Sequence, residues 1–264
     1  MADEQDRIRE KLPNGKRGGM AAATQSARFV GALASWAVEK RGIKLAGSPV
    51  RGCRTVDPEY EDLPVLVEPD MGDWWRDVQE IPNEVHREAL LFTLLSGLRR
   101  ETVVEMQWRH LDLKRRCIHI PRPKRSNGRS RAFDLILSGP MIRCLWRARQ
   151  IGRRLFPEAA KIWVFAGPPA HNALGEAVEH VRGDALSTSR SGVFGNHALR
   201  RGYTTAAQNA GVDEATVGRL LNHGGRSVTA RYSRTSHLGR MLGAAQEDIS
   251  AHIVEALGSP RGLA

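Results

Sequence analysis

Apolar positions recur along this chain with two different periods, and the places where the period changes divide it into parts. Phe29, Val30, Leu33, Trp36 and Ala37 repeat at helical spacing, which predicts one amphipathic helix through about Glu39 before Gly42 and Pro49 break the pattern. Residues 1–20 ahead of it are polar and glycine-rich and offer too little apolar surface to order a tail. Residues 46–70, with Pro49, Pro58, Pro64 and Pro69 set among acidic side chains, read as an extended linker. From about Met71 to Leu257 the pattern is dense enough for a main domain, leaving 258–264 as a short tail. Within that domain the run Ala89–Leu95 predicts a buried helix ended by Ser96-Gly97, and a second helix bearing Val103, Val104 and Met106 follows at once. Residues 116–137 switch to alternation, with Ile118 and Ile120 on one side of Ser126-Asn127-Gly128 and Phe133, Leu135 and Leu137 on the other, which predicts a hairpin.

Ser138-Gly139-Pro140 supplies a cap and a first-turn proline for a helix carrying Met141, Ile142, Leu145, Trp146 and Ile151. Ile162–Phe165 reads as a short strand, and residues 166–196, rich in Gly, Ser and Pro, as a long mobile loop. Two further helices are expected, one closing at Ala210-Gly211-Val212 and one entered at Asp213 and ending near His223. Last comes a stripe of Leu238, Met241, Leu242, Ala245, Ile249, Ile253 and Leu257 at helical spacing, which suits packing on its own domain or on a neighbouring protomer equally well. The pattern as a whole is mainly α with a small antiparallel β-sheet.

Charge narrows the class of partner. Of 264 residues, 40 are Lys or Arg against 29 Asp or Glu, a net charge of +11 that favours polyanions, nucleic acid first among them. Cys53, Cys117 and Cys144 form no C-x-x-C pair, so neither a disulfide framework nor a zinc ribbon is expected. The N-terminus has no apolar signal-peptide core and no long apolar run occurs, which points to the cytoplasm and away from a membrane.

Four separated segments carry candidate chemistry. In Ser96-Gly97-Leu98-Arg99 a glycine turn sets Arg99 at the head of a helix, a place suited to a phosphate. Lys124 lies at the predicted hairpin tip, lifted away from the core, with Arg125 beside it. His197 and Arg200 are three residues apart and share a helix face. Asn222-His223-Gly224-Gly225 ends a helix and turns the chain toward Tyr232. Each alone is ordinary: isolated arginines and hairpin lysines are mostly solvated, and a lone tyrosine is usually core, as Tyr203 is read here.

Taken in order, these segments resemble the tyrosine recombinase or phage-integrase family across about residues 70–257. The family pattern is an arginine after a T/S-G-x turn, a hairpin lysine, H-x-x-R, then L-G-H with a tyrosine nine residues beyond. Here it stands as Arg99, Lys124, His197 with Arg200, and His223 with Tyr232. Gln107-Trp108-Arg109-His110-Leu111-Asp112 is similar to the W-x-x-(I/V/L)-D that follows the family's first arginine. Three positions depart from the pattern: Thr102 where the family has Glu, Ala198 where Asp or Asn is common, and Asn222 for the glycine of L-G-H.

The resemblance implies the tyrosine recombinase catalytic-domain fold, with residues 21–45 similar to the last helix of a core-binding domain. It implies site-specific recombination of double-stranded DNA in the cytoplasm, at the nucleoid, by a homo-tetramer joined through the C-terminal helix and steered by an accessory directionality factor. Arg99 and Arg200 would clamp the scissile phosphate, with His223 hydrogen-bonded to it and His197 orienting or deprotonating the nucleophile. Lys124 would protonate the leaving oxygen and Tyr232 would attack. No cofactor is expected: cationic side chains supply the electrostatics a metal would otherwise supply, and no G-x-x-x-x-G-K-[ST] loop is present for a nucleotide. A type IB topoisomerase and a non-catalytic DNA-binding regulator of the same fold are the alternatives.

Overall fold

The computed structural model describes residues 19–53, 65–121, 132–171, 177–181, 195–222 and 237–258. The chain divides into two compact units, Met1–Leu63 and Pro64–Ala264. Of the expected tails, 1–18 and 259–264 lie outside the described residues, as does the linker stretch 54–64.

In the first unit, α1 (Gly19–Arg41) ends in a paired-bond cap. Gly42 takes a left-handed φ of 65°, its N–H donates to Val38 O (3.2 Å) and the N–H of Ile43 reaches back to Ala37 O (3.2 Å). Lys40 and Arg41 in the last turn complement the exposed carbonyls. The apolar stripe expected on this helix is present, but Phe29, Leu33 and Trp36 are exposed.

The second unit begins earlier than periodicity suggested. Pro69, read as linker, sits in the first turn of α2 (Glu68–Gln79), where its missing N–H costs no hydrogen bond. Helix α3 (Glu84–Ser96) is the central element: Asn83 caps it by accepting from Val85 N and His86 N, and it is buried over nearly its whole length. Against it pack α2, α5 (Gly139–Leu155), α6 (Asn196–Asn209) and α8 (His237–Ala256). Glu88 of α3 is held to Arg147 of α5 by a two-pronged ion pair (2.9 and 2.8 Å), and Cys144 donates its thiol to Glu88 O (3.3 Å). Cys117 is buried too, and Cys53 half-buried; all three cysteines are free thiols.

The alternating segment forms the expected antiparallel pair, β2 (Cys117–Ile120) with β3 (Phe133–Ile136), in register Ile118↔Leu135 and Ile120↔Phe133. A strand the pattern did not show, β1 (Leu111–Asp112), adds to its edge, for two residues are too short to alternate visibly. The expected tip, Ser126-Asn127-Gly128, lies outside the described residues. Ser138 caps α5 by accepting from Met141 N.

Three local expectations are corrected. The second helix, α4, is only Arg100–Val104, so Met106 lies beyond it and joins the core from extended chain. No strand spans 162–165. Trp163 makes a single bridge to Gln107, and the strand comes next, at β4 (Ala166–His171), paired with β5 (Ala177–His180) inside the stretch read as a mobile loop. Gly167-Pro168-Pro169 has the composition of a loop yet lies within β4. The glycine is needed because a Cβ there would come within 2.7 Å of the His180 backbone.

Helix α7 (Glu214–Leu220) is capped by Asp213. Helix α8 buries Leu242, Ile249, Ile253 and Val254 against its own domain, with Leu257 just beyond, so the stripe that could have served a neighbouring protomer is used in cis. Met241 is the large apolar side chain of that stripe left exposed. Among the described residues no helix is long and apolar enough to cross a membrane.

Candidate active site

The site is organised by the turn between α3 and α4. Gly97 adopts φ 59°, open to glycine at little cost, and its N–H closes α3 on Thr93 O (2.9 Å). Space demands glycine as well: a Cβ would lie 2.5 Å from Cδ1 of Tyr203 and 2.7 Å from Cδ2 of Leu221. The turn delivers Arg99 as the residue that starts α4. Because α4 has five residues its macrodipole is small, so any anion preference here resides in side chains more than in helix geometry.

Arg200 arrives from α6 and donates through Nη1 to the carbonyl of Gly97, one of the acceptors left over at the end of α3. Among the described residues, Leu98, Arg99, Thr102, Phe133, Arg200, Leu221 and Asn222 line one small cleft open to solvent. None of these seven is acidic, and Arg99 and Arg200 face one another's charge. Burial first, and the Arg99 guanidinium second, pull the Arg200 guanidinium down to about 10. Two guanidiniums held together in a half-buried cleft form a place where an anion relieves repulsion.

The departures from the family pattern acquire local explanations. Asn222 ends α7 with φ 50°, a left-handed conformation that asparagine tolerates better than most residues, so it can stand where glycine is usual. Thr102 is buried at the cleft wall, and Glu101 is hydrogen-bonded to Arg100 (3.3 Å). Ala198 is buried, so an Asp or Asn there would take a polar group out of water, and its carbonyl accepts from Leu66 N (3.5 Å).

Of the six candidates, the structure brings Arg99 and Arg200 into one cleft. His197 stands exposed in the first turn of α6, one turn before Arg200, and is not among the described residues that line it. Lys124, His223 and Tyr232 lie outside the described residues. In sequence, Phe133 opens the strand after the segment that bears Lys124, and Asn222 directly precedes His223. Sequence reasoning passed over Phe133 and Leu221 as site residues, since an apolar wall carries no signal distinct from core.

A family model described as the phage integrase family matches residues 77–237, from the end of α2 to the first residue of α8. That span includes Arg99, the sheet, Arg200 and the segment leading to α8. The chain belongs to the phage integrase family. Solved integrases share the fold. An integrase from mycobacterium phage Brujita matches 90% of this chain and 78% of its own at 17% identity, with a TM-score of 0.50. The Tn1549 transposon integrase, solved with circular intermediate DNA, matches 91% and 82% at 15% identity, with a TM-score of 0.57. No curated protein matches the sequence. A mainly helical domain with small antiparallel sheets is thus the integrase architecture, and its family is one of DNA recombinases.

Proposed function

We propose that this integrase-family chain is a tyrosine-type site-specific recombinase that cuts and reseals double-stranded DNA through a covalent 3′-phosphotyrosine on Tyr232. The observation that carries the proposal is the convergence of Arg99 and Arg200 in one cleft, although about a hundred residues separate them in the chain. Paired guanidiniums suit the charge that builds on the nonbridging oxygens of a phosphodiester under attack.

In the proposed reaction, the Tyr232 hydroxyl oxygen forms a bond to phosphorus as the bond from phosphorus to the 5′-oxygen breaks. Tyrosine has an unperturbed pKa of about 10, so roughly one phenol in a thousand is ionised at pH 7, and His197 or the cationic site must take up or offset its proton. Lys124 gives a proton to the leaving 5′-oxygen, and His223 hydrogen-bonds the phosphate. Reversal by a 5′-hydroxyl reseals the strand and frees the tyrosine, with the ester bond conserving the energy. A tetramer on paired sites and an accessory directionality factor complete the proposal. Because α8 buries its stripe in cis, protomer contacts are assigned to other surfaces unless α8 exchanges between protomers.

Incubation with a nicked suicide duplex tests the reading. We expect a covalent protein–DNA adduct that Tyr232→Phe abolishes and that Arg200→Ala reduces about a hundredfold or more. Sequence-specific binding without adduct would leave a non-catalytic regulator. Adduct formation with relaxation of a single plasmid, and no exchange between two sites, would mark a topoisomerase.

A further inference from the structure

Tyr203 follows Arg200 by one turn on α6, and both side chains bear on the same residue. Arg200 donates to the Gly97 carbonyl, while the Tyr203 ring fills the space a side chain at position 97 would occupy. The Tyr203 hydroxyl is buried and donates to Oε1 of Gln246 on α8 (3.0 Å). Gln246, itself fully buried, donates from Nε2 to Leu95 O (3.1 Å) and to Ser250 Oγ (3.2 Å). A carbonyl can only accept, so the Leu95 contact fixes which end of the amide faces the tyrosine. Ser250 Oγ continues to Ser138 Oγ at 2.7 Å, the cap of α5. One amide thereby ties down an end carbonyl of α3, the helix that presents Arg99 through the Gly97 turn, and the phenol of α6, the helix that presents Arg200.

We infer that Tyr203 and Gln246 are positioning residues that set the separation of Arg99 and Arg200 and link it to α8. The reading rests on the recombinase proposal for its catalytic consequence and on the arginine cleft alone for its geometric one. Neither residue touches the cleft, since neither is among its lining. Their influence passes through Gly97. A buried network whose members are all paired has little freedom to drift, because any displacement leaves a polar group without a partner in low dielectric. In sequence, α8 is the helix that follows the segment bearing the proposed nucleophile Tyr232, so the same amide connects the arginine pair to that helix.

The experiment uses the full chain with Tyr203→Phe, which keeps the ring and removes one hydroxyl, and Gln246→Leu. Two readouts are taken: the side-chain NMR signals of Arg99 and Arg200 titrated with inorganic phosphate, and single-turnover cleavage of the suicide duplex. Glu88→Gln weakens the distant α3–α5 ion pair and serves as a stability control, compared at a temperature where every variant is folded. We expect both new variants to weaken the phosphate response of the two arginines, and to slow cleavage, by about tenfold while duplex affinity stays within about twofold; the control does neither. Should Gln246→Leu fail to fold, Tyr203→Phe decides the matter. Wild-type phosphate response and cleavage in Tyr203→Phe would overturn the inference, as would equal slowing by Glu88→Gln. A wild-type chain that forms no adduct, but whose arginine response is lost in Tyr203→Phe, would sink the recombinase proposal and support the positioning role.

Discussion

Arg200 is bound at once to structure and to charge: it satisfies the Gly97 carbonyl while burial and Arg99 hold its guanidinium down to about 10. Asn222 does similar double service by accepting a left-handed φ at the cleft edge. A different single residue contributes to the acid limb of stability. His86, on α3, is buried with no hydrogen-bond partner at Nε2, and desolvation lowers its pKa from 6.5 to about 4. Below pH 6.5 the unfolded chain takes up a proton that the folded chain refuses until about pH 4, so this residue's share of stability is full above 6.5 and is lost as the pH falls. The whole shift corresponds to about 3 kcal/mol. Urea melts from pH 7 to pH 4.5 should therefore show a steep decline that His86→Leu flattens; parallel slopes in the two proteins would remove His86 as the cause.

At the level of elements, the Gly97 turn is the piece on which the site depends. Helix α3 ends there, Tyr203 and Leu221 close over it, and Arg99 leaves from it. Gly97→Ala must hold a Cβ at positive φ and push aside an aromatic ring, so a loss of about 3 kcal/mol is expected, with a fall in Tm of roughly 8 °C. Calorimetry checks it, and a Tm within about 2 °C of wild type would mean the turn relaxes cheaply. This turn was readable in the chain because glycine after a dense apolar run is a strong stop signal. The hairpin β2–β3 and the caps at Ser138 and Asp213 were readable for the same kind of local reason. The β4–β5 pair was not. Gly167-Pro168-Pro169 has loop composition, and its pairing with Ala177–His180 is decided by a close backbone approach that no local pattern encodes.

For the whole molecule, the excess of 40 basic over 29 acidic residues predicts DNA binding that weakens steeply with salt. Fluorescence anisotropy at several salt concentrations should give a linear fall of log affinity with log salt. Arg99→Ala should reduce the magnitude of that slope by about 1 if its guanidinium meets a phosphate. An unchanged slope would place Arg99 away from the DNA backbone. The two compact units also differ in how they use apolar surface, since α8 consumes its stripe internally whereas Phe29, Leu33 and Trp36 of α1 are exposed.

By itself the sequence determined the class of the protein: helical and alternating periods, turn residues and an ordered set of motif side chains are local properties, legible residue by residue. Tertiary structure alone decided that Arg99 and Arg200 share a cleft, that a buried glutamine stands behind them, and that the last helix packs at home. Those outcomes depend on contacts between residues far apart in the chain, where shape and burial select among pairings that sequence spacing leaves equal.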